Sequence, residues 1–167
     1  MESLNFSNLN LVIRECLFEE LHRVAEIEKL CFKDPYPIHL LAMLRALYPE
    51  LFLVAVIDNN IVGYVSAVVR REQVGHIVSI CVHPMYRRMC IGTLLMKEVE
   101  RRLREIFSIC VFRLEVRVSN IPAINLYRKL GYRIVERIPR YYQDGEDAYV
   151  MVKDVCTENA TEVNNLR

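Results

Sequence analysis

The most constraining stretch of the chain runs from His76 to Val118. It opens with the β-branched run HIVSICV, closed by His83-Pro84. A short basic loop follows. Gly92 to Phe107 then carries Leu95, Val99, Leu103 and Ile106 on one side and Glu98, Arg101, Arg102 and Glu105 on the other, the pattern of an amphipathic helix. Val111 to Val118 alternates, with Phe112, Leu114, Val116 and Val118 on one face and Arg113, Glu115 and Arg117 on the other, as in a half-buried strand. A strand, a helix and a strand in that order imply a parallel pair joined by a right-handed crossover.

The flanking segments supply the rest of a sheet. Leu11 to Arg14 reads as a short strand and Phe18 to Phe32 as a helix with Leu21, Val24, Glu28 and Cys31 on one face. Asp34-Pro35-Tyr36-Pro37 breaks regular structure before a second helix, Ile38 to Leu47. Phe52 to Ile57 and Ile61 to Val69 flank Asp58-Asn59-Asn60 as a β-hairpin. Ser119-Asn120 caps a short helix with Pro122 in its first turn, ended by Gly131. Ile134 to Tyr142 and Ala148 to Val152 flank Asp144-Gly145 as a second hairpin. The expected architecture is α/β (α+β mixed): a mixed, mostly antiparallel sheet with helices on both faces. One domain over residues 1–155 is expected, followed by a polar, flexible tail over 156–167.

Composition excludes several classes. The chain has 167 residues, and 22 Lys+Arg against 21 Asp+Glu leave a net charge of +1, unlike the basic excess of a dedicated nucleic-acid binder. Its N-terminal stretch lacks a basic start followed by an apolar run, so no secretory leader is expected. No apolar run is long enough to span a membrane. A cytoplasmic setting is therefore expected. The cysteines, at positions 16, 31, 81, 90, 110 and 156, form no CxxC pair and are expected to be reduced and mostly buried.

Chemistry concentrates in VSICVHPMYRRMCIGT, Val78 to Thr93. A basic loop ends at a helix start near Gly92, where free amides and the helix dipole favour an anion such as a phosphate. Arg87 and Arg88 add charge, and Gly92 permits close approach of the backbone. The other reading is an ordinary strand–loop–helix with solvated arginines. Glu115 stands on the polar face of its strand, either as a functional carboxylate or in a salt bridge with Arg113 or Arg117. His76 and Glu115 together are too few ligands to claim a metal site.

Three motifs in order resemble the GNAT acetyltransferases. Arg87-Arg88-Met89-Cys90-Ile91-Gly92 is similar to the family's Arg/Gln-x-x-Gly-x-Gly/Ala loop, with Cys90 in place of the first glycine. Asn120-Ile121-Pro122-Ala123-Ile124-Asn125-Leu126-Tyr127-Arg128-Lys129-Leu130-Gly131-Tyr132 is similar to N-x-x-A-x-x-L-Y-x-K-x-G-F. Tyr141-Tyr142-Gln143-Asp144-Gly145-Glu146-Asp147-Ala148-Tyr149-Val150-Met151 resembles the YYxDGEDAYxM hairpin of the N-terminal acetyltransferase branch. That branch includes archaeal and NatA-type catalytic subunits and the ribosomal-protein alanine acetyltransferases. The resemblance covers about residues 11 to 153.

The resemblance implies a GNAT fold with central splayed parallel strands, acetyl-CoA as cosubstrate, and acetylation of protein N-termini. It puts the pantetheine arm and thioester on backbone amides of Ile80, Cys81 and Val82, where plain sheet core is the alternative. The pyrophosphate would lie on amides of Arg88, Met89, Cys90, Ile91, Gly92 and Thr93. Cys90 implies either that the backbone there needs no positive φ or that the pyrophosphate is held differently. Asn120 would bond the cofactor arm, or merely cap its helix. Tyr127 would donate a proton to the leaving sulfur, or be a core tyrosine. Tyr36 and Tyr142 would grip the peptide, or pack turns. An α-amino group, with a pKa of about 7.7–8.0, needs only a modest base. Glu115 is the first candidate and His76 the second, both able to act through one water. Acetylation of a small amine or a lysine side chain, or acyl-CoA binding without catalysis, are the competing readings. Whether a ribosome or an auxiliary subunit presents the substrate is left open.

Overall fold

A computed structural model describes residues 10–156. Its elements, in chain order, are β1 (Leu11–Glu15), α1 (Leu21–Cys31), α2 (Ile38–Leu47), β2 (Phe52–Ile57), β3 (Asn60–Arg70), β4 (Val74–Val82), α3 (Ile91–Phe107), β5 (Val111–Arg117), α4 (Ile121–Lys129), β6 (Arg133–Ile138) and β7 (Ala148–Asp154). Short 3₁₀ turns precede α1, β2 and the loop before α3. The strands form one seven-stranded sheet in the order β1-β2-β3-β4-β5-β7-β6. All neighbours run antiparallel except β4 and β5.

The sheet is sandwiched. Every residue of β2 is buried, as a strand covered on both faces requires. On one face Leu95, Val99 and Leu103 of α3 join Ile91, Ile124 and Tyr127 over the inner residues of β3 and β5. On the other, Leu21, Val24 and Ile27 of α1 pack with Leu41 and Leu44 of α2 against Phe52, Val54 and Tyr64. Each such aliphatic side chain stabilises the fold by about 1.5–3 kcal/mol. α3 ends where Ser108 turns left-handed at φ 57°, with Ser108 and Ile109 amides returning to Arg104 and Leu103 carbonyls. The Asn120 side chain accepts from the Ala123 amide at 3.3 Å and starts α4.

The β4–β5 pairing is short. Val74, Gly75 and His76 pair with Val111, Phe112 and Arg113, and the two strands then part. On its other edge β4 stays paired to β3, but with a register shift: Ser66 opposes Ser79 while Ala67 opposes Ile77, leaving Val78 as an extra residue. Such a bulge sharpens local twist, and it sits where β4 turns away from β5. Parting strands leave a cleft floored by the ends of β4 and β5.

Two expectations are corrected. β6 stops at Ile138 rather than reaching Tyr142. Pro139 has no amide to extend a ladder, and Arg140 is left-handed at φ 50° with its amide on Asp147. The connection 139–147 therefore leaves the sheet and carries Tyr141 and Tyr142 with it. The cysteines are not all reduced. Cys31 bonds to Cys81 and Cys110 to Cys156, with Cα separations of 6.2 and 4.9 Å, while buried Cys16 and exposed Cys90 are free. The first residue of the expected flexible tail is thus tied to the start of β5. The remainder of that tail, 157–167, lies outside the described residues.

The Cys110–Cys156 bond closes a separation of 46 residues. Loop-closure entropy for that length predicts about 4 kcal/mol of stabilisation. A Cys110→Ser/Cys156→Ser protein should melt lower by roughly 8–16 °C in calorimetry. Melting at the parent temperature under oxidising conditions would show that the bond contributes nothing.

Candidate active site

The loop between β4 and α3 is shaped for an anion. Arg88 and Cys90 are left-handed at φ 66° and 60°, and the chain between them turns so that helix α3 begins at Ile91. The first amides of α3 have no intrahelical acceptor and face outward from its positive end. Arg87, Arg88 and Cys90 are exposed, and Arg87 Nε donates to the Val82 carbonyl at 3.2 Å, folding that side chain onto the strand end. Of the two explanations for Cys90, the structure excludes the first. The backbone there does take a positive φ, at the strain a non-glycine residue carries in that region. A Cβ on Gly92 would lie 3.4 Å from Leu126 and 3.8 Å from Val82. Longer side chains would enter the crevice where β4, α3 and α4 meet.

Ile80, Cys81 and Val82 lie beyond the last β4–β5 pair. They bond to Val65, Tyr64 and Gly63 of β3, and their other edge faces the cleft. The Cys81 side chain is buried in its bond to Cys31. Any role for Cys81 toward a cofactor is therefore a backbone role. Asn120 is exposed and spends its side-chain oxygen on the α4 cap. Tyr127 is 7% exposed, its ring 5.9 Å from that of Tyr132. Burial, with a smaller contribution from Tyr142, holds its hydroxyl protonated well above the usual tyrosine range.

His76 and Glu115 meet across the start of the parting strands. Nε2 of His76 is 2.6 Å from Oε2 of Glu115, and Arg113 Nε donates to Oε1 at 2.8 Å. Arg70, at the end of β3, donates from Nε and Nη2 to Nδ1 of His76 at 3.0 and 2.7 Å. A guanidinium cannot accept, so Nδ1 is the acceptor and the network assigns the hydrogen to Nε2, which donates to Glu115. Burial pushes the Glu115 carboxyl up, but the hydrogen bonds from His76 and Arg113, with the charge of the Arg113 guanidinium, outweigh it, and its pKa falls to about 2. The salt bridge to Arg113 foreseen in the sequence is present; Arg117 instead turns to the 139–147 connection. Arg70 was not among the sequence candidates. Only the β3–β4 register, which carries Val68 opposite His76, brings it near the imidazole.

Three tyrosines crowd the same place. Tyr36 lies between α1 and α2, and Tyr141 and Tyr142 in the 139–147 connection, with the latter two rings edge-to-face at 5.0 Å. Burial raises the pKa of each, that of Tyr142 to about 12, and the Glu115 charge adds to the rise in all three. All three are neutral phenols within electrostatic reach of the carboxylate. The Tyr36 amide donates at 3.0 Å to Glu28 of α1, which is 2% exposed and also accepts from the Tyr64 and Ser79 hydroxyls. Helical spacing placed Glu28 on the buried face of α1, but its partners come from β3, β4 and the following loop. No local pattern reveals them.

The profile of the acetyltransferase (GNAT) family matches residues 21–132. The chain is 41% identical over 143 residues to an uncharacterised N-acetyltransferase of Methanocaldococcus jannaschii, covering 86% of this chain and 91% of that protein. It is 36% identical over 150 residues to the N-alpha-acetyltransferase of Sulfurisphaera tokodaii, covering 83% and 90%. Among solved structures, Ard1 from Thermoplasma volcanium superposes with a TM-score of 0.83 at 30% identity, covering 87% of this chain and 97% of that one. The splayed β4–β5 pair and the loop at the start of α3 agree with these likenesses, and the chain belongs to the GNAT acetyltransferase family.

Proposed function

We propose that this acetyltransferase moves the acetyl group of acetyl-CoA to the α-amino group of protein N-termini. The observation that carries the reading is the grouping of Tyr36, Tyr141 and Tyr142, from two separate connections, within electrostatic reach of the Glu115 carboxylate on β5, the strand that parts from β4. An extended peptide end offers backbone polar groups to tyrosine hydroxyls and a single amine to a carboxylate. The name of the Sulfurisphaera relative supports the same substrate. The reading takes residues 1–155 as one catalytic unit. It carries with it a cytoplasmic setting and N-termini offered by the ribosome or an auxiliary subunit. Among the described residues no helix is long and apolar enough to cross a membrane.

Acetyl-CoA supplies an acyl thioester. Backbone amides from Arg88 to Thr93 would hold its pyrophosphate, with Arg88 adding charge, and the free edge of Ile80 to Val82 would take the arm. Asn120 can offer its side-chain amide nitrogen, since only its oxygen is used by the cap. Tyr127 keeps its proton at neutral pH and is the donor for the departing sulfur.

The depressed pKa of Glu115 decides how it assists the amine. An α-ammonium titrates near roughly 7.7–8.0, far above the depressed Glu115 carboxyl, so direct proton transfer to that carboxylate is steeply uphill. Glu115 therefore assists through its charge. It orients the amine and an intervening water while the proton leaves to solvent, and His76, fixed by Arg70, keeps the carboxylate aimed. An amine with this pKa is already partly neutral at pH 7.5, so little more is required.

Incubating the protein with acetyl-CoA and a peptide library varied at the first two residues should give products acetylated at the α-amine. Acetylation confined to polyamines or lysine side chains would sink the reading. Tyr36→Ala and Tyr142→Ala should raise peptide KM while leaving acetyl-CoA affinity within about twofold.

Glu115→Gln should lower kcat by about 10- to 100-fold, the scale of one lost hydrogen bond to a charged group. The acidic limb of kcat/KM should stay near the substrate ammonium pKa in both proteins, because Glu115 is ionised throughout that range. A limb that moves with the mutation would make Glu115 the titrating base.

In the cofactor loop, Cys90→Gly relieves a positive φ and should hold or tighten acetyl-CoA binding, while Gly92→Glu fills the crevice, adds a negative charge and should abolish it. Calorimetry reads both. Full affinity in Gly92→Glu would place the cofactor elsewhere.

A further inference from the structure

We propose that Arg117 is a latch joining the two walls of the substrate slot and setting its width, a positioning role that rests on the N-terminal-peptide reading. Its Nη1 donates to both carboxylate oxygens of Asp144 at 2.9 Å and to Glu146 Oε2 at 2.8 Å. Its Nη2 donates to Asp34 Oδ2 at 3.1 Å. Its Cζ lies 3.9 Å from the centre of the Tyr142 ring. Asp34 is two residues before Tyr36 in the connection between α1 and α2. Asp144, Glu146 and Tyr142 all belong to the connection between β6 and β7. One guanidinium thus holds both tyrosine-bearing segments, and it stands on β5 two residues beyond Glu115, so the latch shares a rigid strand with the carboxylate it frames.

Three features separate this arrangement from an ordinary surface ion pair, which is worth little. The Arg117 side chain is only 16% exposed. Its planar fork is engaged through both terminal nitrogens and one face, an arrangement a lysine cannot reproduce. And one cation stands among three carboxylates, where a single partner would satisfy the charge. Asp34, Asp144 and Glu146 repel one another, and without the guanidinium the walls that carry them are driven apart. Lys33, 76% exposed, bridges to Asp144 at 3.7 Å and is too solvated to replace it. Within the hairpin wall, Glu146 is held independently by the Ser119 amide and hydroxyl. Two contacts of this cluster cross from one wall to the other, the loose Lys33–Asp144 pair at 3.7 Å and the Arg117–Asp34 hydrogen bond at 3.1 Å, and the second is the one made by a largely buried side chain.

The test uses the full chain with a peptide substrate. Arg117→Met should raise peptide KM about 10- to 100-fold, the scale of lost hydrogen bonds to charged groups, with a smaller change in kcat and an unchanged acetyl-CoA Kd. Arg117→Lys should fail to restore KM. Asp34→Asn, which takes the charge out of the cross-wall bond, should reproduce part of the KM effect, and Glu146→Gln little of it. Hydrogen exchange without peptide should quicken in both 32–37 and 139–147 of Arg117→Met and stay slow in β4 and α3. The latch is overturned if Arg117→Met keeps the parent KM, if Arg117→Lys rescues fully, or if Asp34→Asn is silent. Should Arg117→Met fold poorly, Asp34→Asn and its exchange pattern decide the matter alone. A parent protein that acetylates no peptide overturns the substrate reading, and the latch with it. A parent that acetylates peptides while the variants match it overturns the latch only.

Discussion

The parting of β4 from β5 after three paired residues governs the rest of this molecule. A backbone amide or carbonyl removed from water needs a partner, and in the middle of a sheet the neighbouring strand normally provides it. From Ile77 onward the β5-facing edge of β4 has no strand beside it. That edge is stable only if it opens to water or to a ligand with donors and acceptors in matching register. The pantetheine arm of acetyl-CoA, with its amide groups, has that character. The bulge at Val78 makes the parting a built feature, since it redirects β4 while preserving its ladder to β3. The remaining parts take their places around the opening: α3 starts after β4 ends, α4 starts after β5 ends, and Arg117 at the end of β5 holds the 139–147 connection.

Much of this was legible in the chain because it depends on local periodicity. The β4–α3–β5 unit, the boundaries of α2 and β2 and the cap at Asn120 follow from residue spacing and short-range hydrogen bonding. What escaped reading is long-range. The Cys31–Cys81 and Cys110–Cys156 bonds span separations of 50 and 46 residues, and no spacing rule pairs them. Arg70 reaches His76 because of a bulged register, and a one-residue shift moves a side chain to the other face. Beyond Ile138 the alternation of the sequence continued, but Pro139 and the left-handed Arg140 ended the strand. The candidate site was legible to the extent that its residues fall in the three GNAT-like motifs. Its supports, Arg70, Glu28, Tyr64 and Ser79, were not.

Two carboxyls near the slot illustrate how environment divides labour between identical groups. Glu115 receives hydrogen bonds from His76 and Arg113, and these outweigh burial and depress its pKa. Glu28 receives hydrogen bonds from Tyr64, the Tyr36 amide and Ser79, but no cation is among its donors, and burial wins and raises its pKa. Neutral donors soften the loss of hydration, whereas a neighbouring guanidinium reverses its consequence. The result is one carboxyl that keeps its charge beside His76 and Arg113 and another that serves as a fixed acceptor beneath the loop of Tyr36.

The same two groups respond oppositely to acid. The folded pKa of Glu115 is depressed, so its stabilisation is present above the unfolded value, about 4.3, and is lost as pH falls toward 2. Glu28 is raised, so its charged form opposes folding, and that opposition fades as pH drops through its folded value. Protonation of Glu28 also removes an anionic acceptor from the Tyr36 amide. The slot wall would then loosen at a pH where Glu115 still holds its charge and the β4–β5 cleft is unchanged. The position of the Tyr36 loop and the charge beside His76 are thus governed by separate carboxyls in separate networks. One is anchored from α1, the other from β5, and the two meet only at Tyr36, whose ring senses both charges.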